Sequence, residues 1–308
     1  MKRLLFVFNP MAGKAVIQRR LYEAVNYFTS QGYLVTLYPT QAAGDAFRFL
    51  RDLQENYDRI VVSGGDGTLN EAVSGVLTAG RQDVLGYLPL GSTNDFARSI
   101  GIPSGMHGAL ESAVKGEPFT IDIGKAGSRY FVYVAAFGIF TDVSYGTPQK
   151  LKNTFGHLAY ILQGIKAISD LRTWHVVLEY EGTRTESDFI LGMITNTMSV
   201  GGFKYPLKEG IRLNDGLFEI LMIKAPQNLA DLQAVIYALL NEKKDERIVW
   251  IQTSHLTIHS EPIAWTLDGE YGGTCTELEI ENLHSAISIS VKSRHGSVKK
   301  ISDMQKTE

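Results

Sequence analysis

Three glycine-bearing loops in the first 126 residues each follow an apolar run and precede a helical pattern, which restricts this chain to a layered α/β sheet with its loops on one edge. Leu4 to Phe8 is a continuous apolar run ending at Asn9-Pro10, the mark of a buried strand entering a loop. From Ala15 to Thr29 the apolar positions Val16, Leu21, Val25 and Phe28 recur at helical spacing, and Gln31-Gly32 stops the pattern before a strand from Tyr33 to Tyr38. The cycle repeats: helix from Ala46 to Leu53, strand from Arg59 to Val62, helix from Leu69 to Leu77, strand from Val84 to Leu88. Strands alternating with helices at this pace predict a parallel sheet covered on both faces.

With 308 residues the chain is long for one core, since cores stop growing near about 250 to 300 residues, and two domains are expected. The rhythm changes after Thr120. Short apolar runs (Tyr130 to Ala136, Thr173 to Tyr180, Phe189 to Asn196, Phe218 to Ile223, Leu256 to His259, Leu278 to Ile280) are separated by turn residues. Only Gly156 to Ser169 and Leu229 to Leu240 read as helices there. The expected plan is an α/β domain over 1–126 and a mainly antiparallel β-sandwich over 127–292. A polar tail, 293–308, would pack back on the first domain.

Composition excludes several classes of protein. Apolar residues make up 44% and charged residues 20%, ordinary for a globular chain, and the net charge of -3 offers no general basic field for nucleic acid. Cys275 is the single cysteine, so no internal disulfide can form, and a reducing, cytoplasmic setting is expected. No segment reaches the roughly 18 consecutive apolar residues that span a bilayer. His255 and His259 share one face of a strand, but a zinc site would need more ligands, so both are read as surface residues.

The loop chemistry points to phosphate. In Ser63-Gly64-Gly65-Asp66-Gly67-Thr68-Leu69-Asn70-Glu71, glycines at a strand's carboxyl end let backbone N–H groups approach a polyphosphate, and the following helix presents its positive end to the same anion. A carboxylate there needs a cation to coexist with phosphate, which makes Asp66 a candidate magnesium partner; otherwise Asp66 and Thr68 would simply cap the helix. In Asn9-Pro10-Met11-Ala12-Gly13-Lys14, Lys14 could serve as a point charge on phosphate or be a solvated surface lysine. Leu90-Gly91-Ser92-Thr93-Asn94-Asp95-Phe96 either completes a nucleotide crevice or caps its helix.

Gly-Gly-Asp-Gly-Thr-Leu-Asn-Glu at 64–71, followed by Pro-Leu-Gly-Ser-Thr-Asn-Asp-Phe-Ala at 89–97, resembles the diacylglycerol kinase catalytic-domain family, which includes bacterial soluble diacylglycerol kinases and the sphingosine and ceramide kinases. Asn9-Pro10, Asn214-Asp215-Gly216 and Leu267-Asp268-Gly269-Glu270 extend the resemblance over nearly the whole chain. NAD kinases and phosphofructokinases share the Gly-Gly-Asp-Gly-Thr core and the two-domain plan; the contiguous Asn70-Glu71 favours the lipid-kinase branch. The resemblance implies ATP contacts from Asn9, Pro10, Met11, Ala12, Gly13, Lys14, Thr40, Gly64, Gly65, Asp66, Gly67, Thr68, Leu69, Asn70 and Ser92, where serine replaces the family's usual threonine. It implies Glu270 as the general base on the lipid hydroxyl. It also implies a structural Mg²⁺ held by the Asp215 carboxylate with the Arg212 and Leu217 carbonyls, although Asn-Asp-Gly alone reads as a plain turn. Asp95 and Asp122 could join Asp66 around a catalytic Mg²⁺.

The expected activity is ATP-dependent phosphorylation of a lipid hydroxyl, with diacylglycerol, giving phosphatidic acid, as the default acceptor. The protein would act as a peripheral visitor to the inner face of the membrane, and a homodimer through sheet edges of the second domain is a reasonable arrangement. The alternatives are a kinase of NAD or another soluble substrate, and a non-catalytic lipid-binding regulator that kept the fold.

Overall fold

The computed structural model describes residues 1–91, 94–139, 171–196, 199–200, 203–204, 212–241 and 243–292. Ser92, the helix expected at Gly156 to Ser169 and the tail 293–308 lie outside them. The chain divides into two compact units, Met1–Ile121 with the residues from Ile287 onward, and Asp122–Ala286.

In the first unit, β1 (Lys2–Phe8), β2 (Tyr33–Pro39), β3 (Arg59–Gly64) and β4 (Val84–Pro89) pair in parallel in the order β4-β3-β1-β2. The last residues of β15 (Glu270–Val291) add a further parallel strand beside β4, Ser288 opposite Val84. Leu4 to Val7 and Ile60 to Val62 have no solvent exposure, as expected of strands buried on both faces. Between the strands run α1 (Ala12–Ser30), α2 (Asp45–Asp52), α3 (Asp66–Thr78), α4 (Asp95–Ser99) and α5 (Met106–Lys115).

The second unit takes in the end of β5 (Glu117–Ala126) and β6 (Arg129–Phe131), which pair antiparallel. Its main sheet is antiparallel and uses β7 (Val134–Gly138), β8 (Trp174–Tyr180), β9 (Thr183–Thr195), β12 (Phe218–Lys224), β13 (Ile248–Thr253), β14 (His255–Leu267) and the first part of β15. Two further short strands, β10 (Ser199–Val200) and β11 (Phe203–Lys204), form a separate ladder. The order is β13-β12-β9, then β7 and β8 end to end, then β14-β15. The run expected from Tyr130 to Ala136 is thus two strands broken at Val132-Tyr133. A core of Phe131, Phe137, Trp174, Phe189, Phe218 and Trp265 fills this unit, and the Phe137 ring meets both tryptophans edge-on. α6 (Leu229–Leu240) has the bounds its periodicity predicts, with Asn228 Oδ1 accepting the Asp231 N–H at 2.9 Å as an N-cap.

Candidate functional site

In the first unit the three glycine loops converge. The Asn9 N–H donates to the Ser63 carbonyl at 2.9 Å and its side-chain amide reaches Thr68 Oγ1 at 3.4 Å, so the loop after β1 is tied to the one after β3. A β-carbon at Gly13, whose φ is +56°, would overlap the Leu90 carbonyl, and one at Gly91 would overlap the Gly65 backbone. Only glycine permits these approaches. The Gly64 carbonyl accepts the N–H groups of Leu90 and Gly91 at 2.9 and 3.1 Å, and the Tyr87 hydroxyl at 3.3 Å. That carbonyl is thereby turned into the protein, while the first turn of α3 begins two residues on. Tyr87 is fully buried, and burial, with the nearby Asp66 carboxylate adding to it, pushes its phenol well above the usual range, so it remains a neutral donor.

α3 starts at Asp66 with Gly65 as its extended N-cap, so Asp66, Gly67 and Thr68 are helical rather than loop, and neither Asp66 nor Thr68 caps the helix. Asp66 instead occupies the first turn, where the helix dipole favours a carboxylate, and its Oδ2 accepts the Asp95 N–H at 3.2 Å. Those two aspartates are therefore brought together. Thr40, with its N–H on the Phe8 carbonyl at 2.9 Å, is 8% exposed just beyond β2. α1 begins at Ala12, so Ala12, Gly13 and Lys14 are its first residues. Asn94 adopts φ +52° and uses its side-chain amide on the Gly91 carbonyl at 2.8 Å rather than capping α4.

The second unit holds the other predicted residues. Asp122 has no exposed surface: its Oδ2 accepts the Gly216 N–H at 2.6 Å, its Oδ1 accepts the Ser285 N–H at 2.6 Å, and His284 Nδ1 lies 3.1 Å from that oxygen. Its own N–H donates to the Leu213 carbonyl at 2.7 Å. Asp122 therefore acts as a strut for the segment from Arg212 to Leu217, a use that its place near the end of an element did not suggest. Within that segment Asp215 Oδ1 accepts the Leu217 N–H at 3.1 Å and Gly216 turns at φ +81°. Glu219, two residues on, is fully buried; burial pushes its carboxyl up to about 8, with Asp215 and Asp122 adding to the shift and a 3.3 Å bond from Gln252 opposing it. Glu270 is exposed at the first position of β15, opposite Leu267 across a two-residue hairpin. His255 and His259 both lie within ion-pair distance of glutamates, His255 with Glu279 at 2.9 Å and His259 with Glu277 at 3.4 Å.

Residues 3–126 match the family model of the diacylglycerol kinase catalytic domain. The chain is 35% identical over 294 residues to a diacylglycerol kinase of Bacillus subtilis (strain 168), an alignment covering 94% of this chain and 96% of that relative. This chain belongs to the diacylglycerol kinase catalytic-domain family. A diacylglycerol kinase of Staphylococcus aureus (strain JH9) is 34% identical over 276 residues, with 88% of this chain and 87% of the relative covered. Two crystal structures from Bacillus anthracis str. Sterne share the fold, at TM-scores of 0.79 and 0.72 with 24% and 22% identity; both alignments cover 94% of this chain, and 95% and 97% of the respective structures. The family places the chain among phosphotransferases with an alcohol acceptor and carries ATP as the phosphoryl donor.

Sequence reading of this family member missed Glu71 and Tyr87. In sequence Glu71 reads only as part of the glycine-rich motif, yet its carboxylate accepts the N–H groups of Gly44 and Ala46 at 2.7 and 3.2 Å and so caps α2 from α3. Tyr87 carried no signal beyond an aromatic in a buried strand.

Proposed function

We propose that the chain phosphorylates the free hydroxyl of diacylglycerol with ATP, releasing ADP and phosphatidic acid. The observation that carries this is identity of 35% along nearly the full length of a diacylglycerol kinase. The three interlocked glycine loops of the first unit support it as a polyphosphate cradle: Asn9 to Lys14, Thr40, Gly64 to Asn70 and Ser92 hold ATP, with the N-terminal turns of α1 and α3 facing the anion. Glu270 takes the proton from the lipid hydroxyl, the freed oxygen forms its bond to the γ-phosphorus, and the bond to the β–γ bridging oxygen breaks in line with it.

Asp66 and Asp95 suit a magnesium ion, because the donors are carboxylates and Mg²⁺ sits between one or two of these and substrate phosphates. When bound, it would neutralise charge developing on the phosphate oxygens. The Arg212, Asp215 and Leu217 oxygens form an equally hard donor set for a second, structural Mg²⁺, with Asp122 fixing their segment. The fold that accompanies this reading is an NAD-kinase- or phosphofructokinase-like domain over 1–126 and a mainly antiparallel β-sandwich over 127–292. No described helix is long and apolar enough to cross a membrane; the lipid is reached by peripheral contact at the inner face, from the cytoplasm. Among the described strands β13 ends the antiparallel sheet as an edge on which two copies could pair.

The test is transfer of radiolabelled phosphate from ATP to a panel of lipids in mixed micelles, with NAD as the soluble control. Labelled phosphatidic acid is expected. Labelling of NAD alone would establish the soluble-substrate alternative, and no transfer to any acceptor would favour the non-catalytic one. Glu270→Gln should lower kcat by about 10²- to 10⁴-fold with the KM for ATP unchanged.

A further inference from the structure

Glu270 is exposed, and an exposed carboxylate is a poor base unless something fixes its backbone. It follows a two-residue hairpin loop, Asp268-Gly269, in which both residues have positive φ, +50° and +86°, the pattern of a type I′ turn. Asp-Gly suits that turn, and a solvated aspartate would be sufficient for it. Asp268 is not solvated. It is 5% exposed, its Oδ2 accepts the Val132 N–H at 2.7 Å, and its Oδ1 accepts those of Tyr133 and Val134 at 3.0 Å each. Its own N–H donates to the Val134 carbonyl at 2.8 Å. Three backbone N–H groups converging on one buried carboxylate form a strong, directional grip, because each bond is charge-assisted. The gripped segment, Val132 to Val134, is where the run from β6 to β7 breaks, so its N–H groups are turned away from a regular ladder and towards the hairpin tip.

We propose that Asp268 is a positioning residue for the phosphoryl transfer: by clamping the hairpin tip to the β6–β7 break it fixes the backbone from which Glu270 projects. The proposal rests on Glu270 as the base. Asp268→Asn keeps the shape but sets an amide against one of the three N–H donors. The tip then loosens, and kcat falls by about 10- to 100-fold, as a displacement of roughly 1 Å at a reacting group produces. The KM for ATP stays within about two-fold, since the backbone groups that Asp268 grips, Val132 to Val134, are not among the residues assigned to ATP.

The deciding measurement is a double-mutant cycle with Glu270→Gln, on variants whose circular dichroism and thermal melts show a folded protein. If Asp268 acts through Glu270, the double variant is no slower than Glu270→Gln alone. A merely structural aspartate would slow both backgrounds by the same factor, and that additivity would overturn the proposal, as would an Asp268→Asn enzyme with wild-type kcat. Should Asp268→Asn fail to fold, Gly269→Ala strains the same turn at φ +86° in open space and replaces it in the cycle. Wild-type kcat in Gly269→Ala, or additivity with Glu270→Gln, would overturn the proposal equally. The two levels fail differently: a Glu270→Gln enzyme within a few-fold of wild type removes the base assignment itself and this proposal with it. A crippled Glu270→Gln beside additive or silent Asp268 variants removes only the positioning role.

Discussion

Replacing Glu71 with alanine should weaken ATP binding although Glu71 is not among the residues assigned to ATP. Both oxygens of its half-buried carboxylate are engaged, by the N–H groups of Gly44 and Ala46 at the start of α2. Each bond to a charged partner is worth roughly 1.5 to 3 kcal/mol when well shielded, and a helix cap about 1 kcal/mol when exposed. Partial exposure puts the pair near the lower figure, about 2 kcal/mol in all, which corresponds to a fall in Tm of about 3 °C for a chain of this size. The residues released, Gly44 to Ala46, follow Thr40, whose own N–H stays on the Phe8 carbonyl, so the loop beyond Thr40 must be ordered again on binding; about 1 kcal/mol for one residue raises the KM for ATP roughly five-fold. kcat should change little. Glu71→Gln, which keeps one acceptor oxygen and loses the charge, should give about half of each effect. Thermal melts with and without ATP, paired with steady-state kinetics, test this. A Glu71→Ala protein with wild-type Tm and wild-type KM would refute the reasoning.

Three further outcomes are expected. Asp66→Ala should abolish phosphoryl transfer while the far-UV spectrum is retained; turnover near the wild-type rate in the folded variant would remove Asp66 from the catalytic assignment. Asp215→Ala should blunt the rise in Tm that magnesium gives the wild type, since a cation bound only by the native state stabilises it, and equal magnesium responses would leave this segment a plain turn. The folded state keeps the Glu219 proton up to a pKa of about 8, against 4.5 ordinarily, so at this group more protons are bound folded than unfolded between those values and its contribution to stability falls as pH rises from about 5 to 8. Glu219→Gln carries no such proton, so in magnesium-free buffer its Tm should gain on the wild type as pH rises through that window; parallel curves would count against a buried, protonated Glu219.

The sequence carried the local grammar of this fold well and its long-range polar struts poorly. α6 is bounded by a cap and a strong apolar period, so both its ends could be read directly. The apolar pattern puts the start of α3 at Leu69, yet it begins at Asp66, where the extended Gly65 is packed against Gly91 of another loop. The local pattern yielded there to a contact 26 residues away in sequence, as the numbering of Gly65 and Gly91 shows. Val132-Tyr133 was read as part of one strand because its residues are apolar; the break is imposed by Asp268, a partner from the other end of the unit.

The aspartates make the same point about the candidate site. Asp66, Asp95 and Asp122 looked alike in sequence, as acidic residues at the ends of elements. Asp66 and Asp95 meet at a helix start, whereas Asp122 is wholly buried and spends its oxygens on the Gly216 and Ser285 N–H groups. A carboxylate that accepts converging backbone N–H groups holds a loop in place. Asp122 does this for the Asp215 segment, Glu71 for the start of α2, and Asp268 for the hairpin before Glu270. In each case an acid that is buried or half-buried supports a stretch beside the proposed chemistry. Because its partners come from distant parts of the chain, neither spacing nor composition could have distinguished it from a surface aspartate or glutamate.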